Sequence, residues 1–565
     1  MDVPDGVVFV AGPSSPRAGR RFGPVIIGIL ALLVAAAGAA GLFVFTALRG
    51  SGDVIDRMIP ASSCVYITAY LDPAAQQKLN LRNLVKRFPR LRSDGGLDKG
   101  IDELLDEALH GSGLTSKDVR PWLGSQVALV VRVKNDRPLV ALLVASKDDS
   151  KALAALGKFR SGPDGRRETW KQMARGGIAI SVGSRDGGTD GAYALVNHAA
   201  VIANDPGIIE DVIDTAQRRQ PSLRGSTRFV KTTGQLPSKR LALMYVDFRP
   251  LIGRIKQDVT VGQIPDLGQL SSSLGQLDAL QGLGATISAE ATGIAADITM
   301  TIDRSKLTEE QRRAYAETSH ENAVLPFTPR HAYGVLAMEG FPQTVRSAIE
   351  ELSKDPSFED MDRDLGLSSI VKHLTGDAGF EAGPGSPGEP PGVALLFGTD
   401  DEVAMRAFLD RLAVKALEGV QGHPKRRPPH WKRVTHRGVT ISFLPLEGAD
   451  PFDLTPAYAV TRRMGILASS LDELKAVIDA RADGSSITSA RNFIDAVGTT
   501  RRNVAGMLYI DVGAITSAFR DAMPSEQQAR FDAETAKDLA PLKAFVLTSS
   551  NGPDRASVRL FLLIG

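Results

Sequence analysis

Read for polarity alone, the chain alternates between two kinds of segment. VALVVRV (127–133), LVALLVA (139–145), GIAISV (177–182), LALMYVDF (241–248) and AADITMTI (295–302) are continuous or two-residue-alternating apolar runs, which predicts strands. GIDELLDEALH (100–110) and IIEDVIDTAQR (208–218) bring apolar residues back every three or four positions, which predicts helices. GIAISV and the following AYALVNH, joined by the polar loop GSRDGGTDG (183–191), read as adjacent antiparallel strands. Connections vary in length and no βαβ rhythm appears. The fold class is therefore α+β, a mainly antiparallel sheet with helices on one side.

One apolar run is of a different kind. Val25 to Leu48 is 24 residues without a charge, about 36 Å as a helix, enough to cross a hydrocarbon core of roughly 30 Å. Its last part, LFVFTAL, extends it beyond what a signal peptide requires, which favours an uncleaved anchor over a cleaved leader. Arg17, Arg20 and Arg21 precede the run, and Arg49 and Arg57 follow it. That excess places the tail 1–24 in the cytoplasm, the span at 25–48 and the bulk of the chain outside the cytoplasm.

The remainder says much the same thing twice. WKQMARGGIAIS begins at Trp170 and WKRVTHRGVTIS at Trp431, using two of the three tryptophans. AYALVNHAAVIANDPGIIEDVIDTA from Ala192 answers AYAVTRRMGILASSLDELKAVIDAR from Ala457, an ungapped shift of 457 − 192 = 265. LMYVD (243–247) matches MLYID (507–511), and PLVALLVASKDD from Pro138 matches PGVALLFGTDD from Pro391. IPASSCVYITAY and LPFTPRHAYGVL begin the two series. A period this long exceeds any solenoid repeat, so the expectation is two homologous domains, 54–318 and 319–565. In each, a tryptophan precedes a strand, a glycine turn (Gly177 or Gly438) and a second strand, as an aromatic anchoring a hairpin to the core would.

Composition removes several functions. The 67 basic and 65 acidic residues nearly cancel to a net +2, leaving no global field for nucleic acid. Cys64 is the only cysteine, inside an apolar run, so disulfides and multi-cysteine metal sites are excluded and a buried position is expected. No phosphate-binding loop, H-E-x-x-H motif or nucleophile elbow occurs, and the histidines are dispersed. The sequence thus nominates no catalytic, cofactor or metal residues. Asp186 and Asp190 fit a plain turn better than a calcium loop, and Asp148–Asp149 and Asp400–Asp401 precede helices as caps.

Two segments invite a binding role. Ile264, Leu267, Leu270, Leu274 and Leu277 form an apolar stripe at helical spacing, weakened by Gly268 and Gly275, which suits a cover over an apolar ligand and equally a core helix. Lys425, Arg426 and Arg427, in a loop rich in proline and charge, would suit an anionic surface, though an exposed loop is the plainer reading.

The span, IPASSCVYITAYLD, PWLGSQVAL, HLTGDAGF and the strand ends VDF and IDV together resemble a family of single-span envelope proteins of high-GC Gram-positive bacteria, defined only as a domain of unknown function. The resemblance implies location and architecture and carries no catalytic residues. The functional expectation is a membrane-anchored, extracytoplasmic, non-enzymatic binding protein, for lipid or another envelope component. A scaffolding partner in an envelope complex is second and an enzyme of unrecognised type third. An enclosed apolar cavity would favour the ligand carrier, an open apolar patch the scaffold. Oligomeric state stays open.

Overall fold

The computed structural model describes residues 55–89, most of 102–135, 137–162, 165–185, 188–253, 278–309, 312, 320–385, 390–420, 430–446, 455–498 and 503–565. The described chain is α+β and forms two compact units. The predicted span at 25–48 lies outside the described residues; among those described, no helix is long and apolar enough to cross a membrane.

The first unit is built from described residues within Met1–Pro73, Leu97–Val230 and Ala242–Val246. Its strands are β1 (Val65–Tyr70), β2 (Leu123–Lys134), β3 (Arg137–Ser146), β4 (Thr169–Arg175), β5 (Ile178–Arg185), β6 (Gly188–Val196), β7 (Ala199–Ala203) and β8 (Ala242–Asp247). All pair antiparallel in the order β4-β5-β6-β7-β3-β2-β1-β8. The expected pairing of GIAISV with AYALVNH is β5 against β6. Helix α1 (Asp149–Ser161) links β3 to β4, and α2 (Pro206–Ala216) with α3 (Thr227–Thr233) links β7 to β8. Their starts follow from local chemistry. Asp148 accepts from the Lys151 N–H at 3.1 Å, and Asp205 accepts from the Gly207 N–H at 2.7 Å with Pro206 in the first turn. Cys64 is buried, as its apolar setting requires.

The second unit is built from described residues within Ala74–Gly96, Lys231–Leu241 and Asp247–Gly565. It contains β9 (Leu280–Glu290), β10 (Gly293–Ile302), β11 (Gly334–Met338), β12 (Leu374–Gly383), β13 (Gly392–Thr399), β14 (Lys432–His436), β15 (Val439–Phe443), β16 (Ala457–Thr461), β17 (Met464–Ala468), β18 (Gly506–Asp511), β19 (Leu542–Gly552) and β20 (Arg555–Ile564). The order is β14-β15-β16-β17-β13-β12-β11-β18-β19-β20-β10-β9, again antiparallel throughout. Its first eight places follow the first unit's order with each strand number raised by ten. Hairpin β9–β10 joins this unit because β10 pairs along its length with β20, where Asp297 faces Arg559 and bonds it at 2.8 Å.

Helices packed against this second sheet include α4 (Phe341–Leu352) after β11, α5 (Glu402–Val420) after β13, and α6 (Leu471–Asp483) and α7 (Arg491–Val497) between β17 and β18. The Asp401 side chain caps α5 through the Ala404 N–H at 3.0 Å. One sheet face sends Val335, Leu396, Ile466, Tyr509, Val546 and Phe561 into a buried core with Leu474 and Val477 of α6 and Phe493 and Val497 of α7. Each such side chain contributes about 1.5–3 kcal/mol by leaving water. The tight β4–β5 and β14–β15 turns both need positive φ, met by Gly176 (+55°) and Gly177 (+81°) in one and by Arg437 (+48°) and Gly438 (+78°) in the other.

Candidate functional site

Residues opposed on neighbouring strands share a sheet face, so register can be followed sideways across a sheet. In the second unit, on the face turned away from α6 and α7, one row runs Leu508, Leu336, Phe380, Leu395, Leu467, Tyr458 across β18, β11, β12, β13, β17 and β16. From Leu508 it continues the other way through Leu547 and Leu560 to Ala296 and Ile287. None of these side chains carries a charge. The first unit has a corresponding row, Met244, Ile67, Leu129, Leu142, Ile202, Tyr193.

Each row ends on a tyrosine, and there the repeated tryptophans act. The ring of Trp170 packs on Tyr193 at 5.4 Å between centroids and that of Trp431 on Tyr458 at 5.1 Å. Each indole N–H donates to a backbone carbonyl, of Gly165 at 2.9 Å and of Ala413 at 3.1 Å. Both tryptophans are half-buried, closing the end of a row.

Cover distinguishes the rows. In the first unit Leu129 is 1% exposed and Leu142 5%, and Phe159 of α1 packs against Leu129. In the second, Leu336, Phe380 and Leu395 are 37%, 40% and 42% exposed. The residue as far from the α5 cap as Phe159 is from the α1 cap is the smaller Leu412, which packs with Trp431, Tyr458 and Phe397 at the row's end. At the margin, Phe341 of α4 stacks on Phe397 at 5.4 Å, α4 packs against β12, and Leu352 on that helix is exposed.

Beneath the sheet, the second unit places two acids where the first has hydrocarbon. Glu381 faces Val335 and Ala394 across the strands and is fully buried; Val130, facing Tyr66 and Ala141, holds the same station in the first unit. Glu473 is third after the cap of α6, and the buried Ile208 is third after the cap of α2. The two carboxyl groups are coupled to each other. Burial, then the charge of Glu473, pushes Glu381 up to about 10, and burial also raises Glu473. The pair thus holds a proton more tightly than two separate carboxyl groups would.

Both segments singled out in the sequence, Ile264, Leu267, Leu270, Leu274 and Leu277 and the cations Lys425, Arg426 and Arg427, lie outside the described residues. The open row has no local signature in its own strands. VALLFG in β13 is a continuous apolar run, which reads as a strand buried on both faces, and nothing in it tells a sealed neighbour from an absent one. The available signal was a mismatch between the two similar segments of sequence: at the same distance from the helix cap, Phe159 against Leu412.

A family model described as a protein of unknown function (DUF3352) matches residues 25–563. No curated protein matches the chain. Among solved structures, crystal forms IV and III of TP0453 are similar to part of it, each at 9% identity. They cover 44% and 49% of this chain and 79% and 90% of theirs, with TM-scores of 0.22 and 0.23, too distant to transfer any property.

Proposed function

The chain belongs to the DUF3352 family of proteins of unknown function, and from that premise we propose a membrane-tethered, non-enzymatic scaffold whose second unit docks an apolar helix of another envelope protein. On this reading residues 25–48 anchor the chain with residues 1–24 in the cytoplasm, and 54–318 and 319–565 are copies of one ancestral domain placed outside. Matching strand orders and the paired tryptophan–tyrosine contacts support the duplication.

The observation that carries the reading is one row of side chains, sealed at Leu129 and open at Phe380. Leaving Leu336, Phe380 and Leu395 in water forgoes stabilisation that the first unit obtains, which points to a partner for that face. The open part spans two strand spacings, about 10 Å, close to the width of an α-helix. It is a face and not an enclosed chamber, which favours a protein partner over a sequestered lipid.

A photo-crosslinking amino acid at Phe380 of the full-length chain in its native membrane tests this. The account expects one protein adduct of defined mass, abolished by Leu336→Ser with Leu395→Ser. An adduct of lipid mass would transfer the face to an acyl-chain ligand, and absence of any adduct would remove the docking role.

A further inference from the structure

We propose that His320, Glu339 and Asp377 form a binding site for a divalent transition-metal ion in the second unit. These residues are scattered along the sequence and match no motif; the fold brings them together. Glu339 follows β11 and its N–H donates to the Ala505 carbonyl at 2.8 Å. Asp377 sits in β12 at a register irregularity between Leu374 and Ala378, where its Oδ2 accepts from the Ala323 N–H at 3.2 Å. His320 reaches both from the segment before β11. One donor atom from each residue lies within 4.8 Å of the other two.

The spacings are those that ligands of one metal ion take. His320 Nε2 lies 3.1 and 3.3 Å from the Asp377 oxygens and 3.5 Å from Glu339 Oε1. Donors around a tetrahedral zinc ion at ordinary bond lengths sit about 3.3–3.5 Å apart. Two carboxylates and one imidazole supply the charge and the mixed oxygen and nitrogen donors that zinc, manganese or cobalt accept. Asp377 is 7% exposed, while the His320 side chain is 54% exposed, so the donors are anchored from below and a further coordination position faces water.

The first unit provides the contrast. Its β2 has the same irregularity, between Leu123 and Val127, and there Gln126 takes the place of Asp377. Gln126 is occupied by neutral groups, donating to Tyr66 at 3.2 Å and Thr68 at 3.0 Å and accepting from the Ile55 N–H at 3.3 Å. One station is thus an amide network, and its counterpart is an anionic, histidine-bearing cluster. Metal at the latter would tie the segment at His320 to β11 and β12.

The test uses detergent-extracted full-length protein, stripped with chelator and titrated with Zn2+, and separately with Co2+ to read coordination from visible absorption. The expected result is one equivalent bound, with about tenfold or greater weakening and loss of the Co2+ signal in His320→Ala, whose exposed side chain leaves folding intact, and in Asp377→Gln. His436→Ala should change neither. Binding below one equivalent, or binding unaltered in His320→Ala, would overturn the site.

Discussion

In the first unit Leu129 lies almost wholly out of water, packed with Phe159; at the same station of the second sheet Phe380 keeps 40% of its surface exposed. The framework around the two is shared: strand order, the irregularity in the second strand, the tyrosine at the row's end and the tryptophan upon it. What differs is the cover and the polarity of a few stations. Glu381 and Glu473 stand where Val130 and Ile208 stand, and Asp377 where Gln126 stands. A hydrophobic frame tolerates the loss of one covering side chain but gains nothing from it. Departures confined to one unit are therefore where the docking and metal-binding proposals sit.

The largest expected effect separates the two rows directly. Leu129→Ala should cost about 2–5 kcal/mol of stability, as large-to-small changes in a sealed core do, whereas Phe380→Ala should cost less than about 1 kcal/mol, in the range of exposed positions. Urea denaturation of the full-length chain reads both. Equal losses would mean that the two rows are not differently covered.

Next comes the buried acid pair. Converting it to the first unit's residues, Glu381→Val with Glu473→Ile, should raise stability by about 1–4 kcal/mol, because hydrocarbon replaces carboxyl groups lacking solvent. The pH dependence has a definite sign. Glu381 holds its proton more tightly folded than unfolded, so its contribution is fully present below the unfolded value near 4.5 and is lost as pH rises toward about 10. Denaturation midpoints across that range should fall with pH in the native protein and flatten in the double variant. An unchanged slope would exclude the pair as its source.

The tryptophans should behave alike. Trp170→Leu and Trp431→Leu should each cost about 1–3 kcal/mol, the loss of a half-buried aromatic and its tyrosine contact. A marked inequality in thermal melts would show that only one closes its row.

The smallest effect lies at the hairpin turns. Arg175 and Arg219 donate to Asp214 at 2.6 Å each, and Arg437 donates to Asp479 at the corresponding turn. Hydrogen bonds from the two arginines hold Asp214 at about 2, so this contribution is present above the ordinary aspartate range and disappears as pH falls toward 2. Asp214→Asn should lower the melting temperature slightly at neutral pH and not at pH 2. An equal decrease at both would point to packing and not charge.

Much of this framework was legible in the chain. Apolar periodicity identified the strands, and Asp148 and Asp401 announced helix starts that their side chains cap. The glycine turns before IAIS and VTIS are turns because positive φ there favours glycine. The open row was not legible, because exposure of Leu336, Phe380 and Leu395 depends on what lies above them, which no local pattern encodes. Nor was the meeting of Glu381 with Glu473, or of His320 with Glu339 and Asp377. Those encounters arise from strand register and helix placement, and their spacings in sequence carry no period.

Accessibility at the second row tests the central claim most directly. In a chain carrying Cys64→Ser, a cysteine placed at Phe380 and, separately, at Leu129 can be labelled with a maleimide, first in detergent-extracted protein and then in intact envelopes. The account predicts fast labelling at 380 after extraction, protection at 380 in envelopes, and negligible labelling at 129 in both. Equal labelling at 380 in the two states would contradict it, since an open face with no occupant in intact envelopes has no docking role.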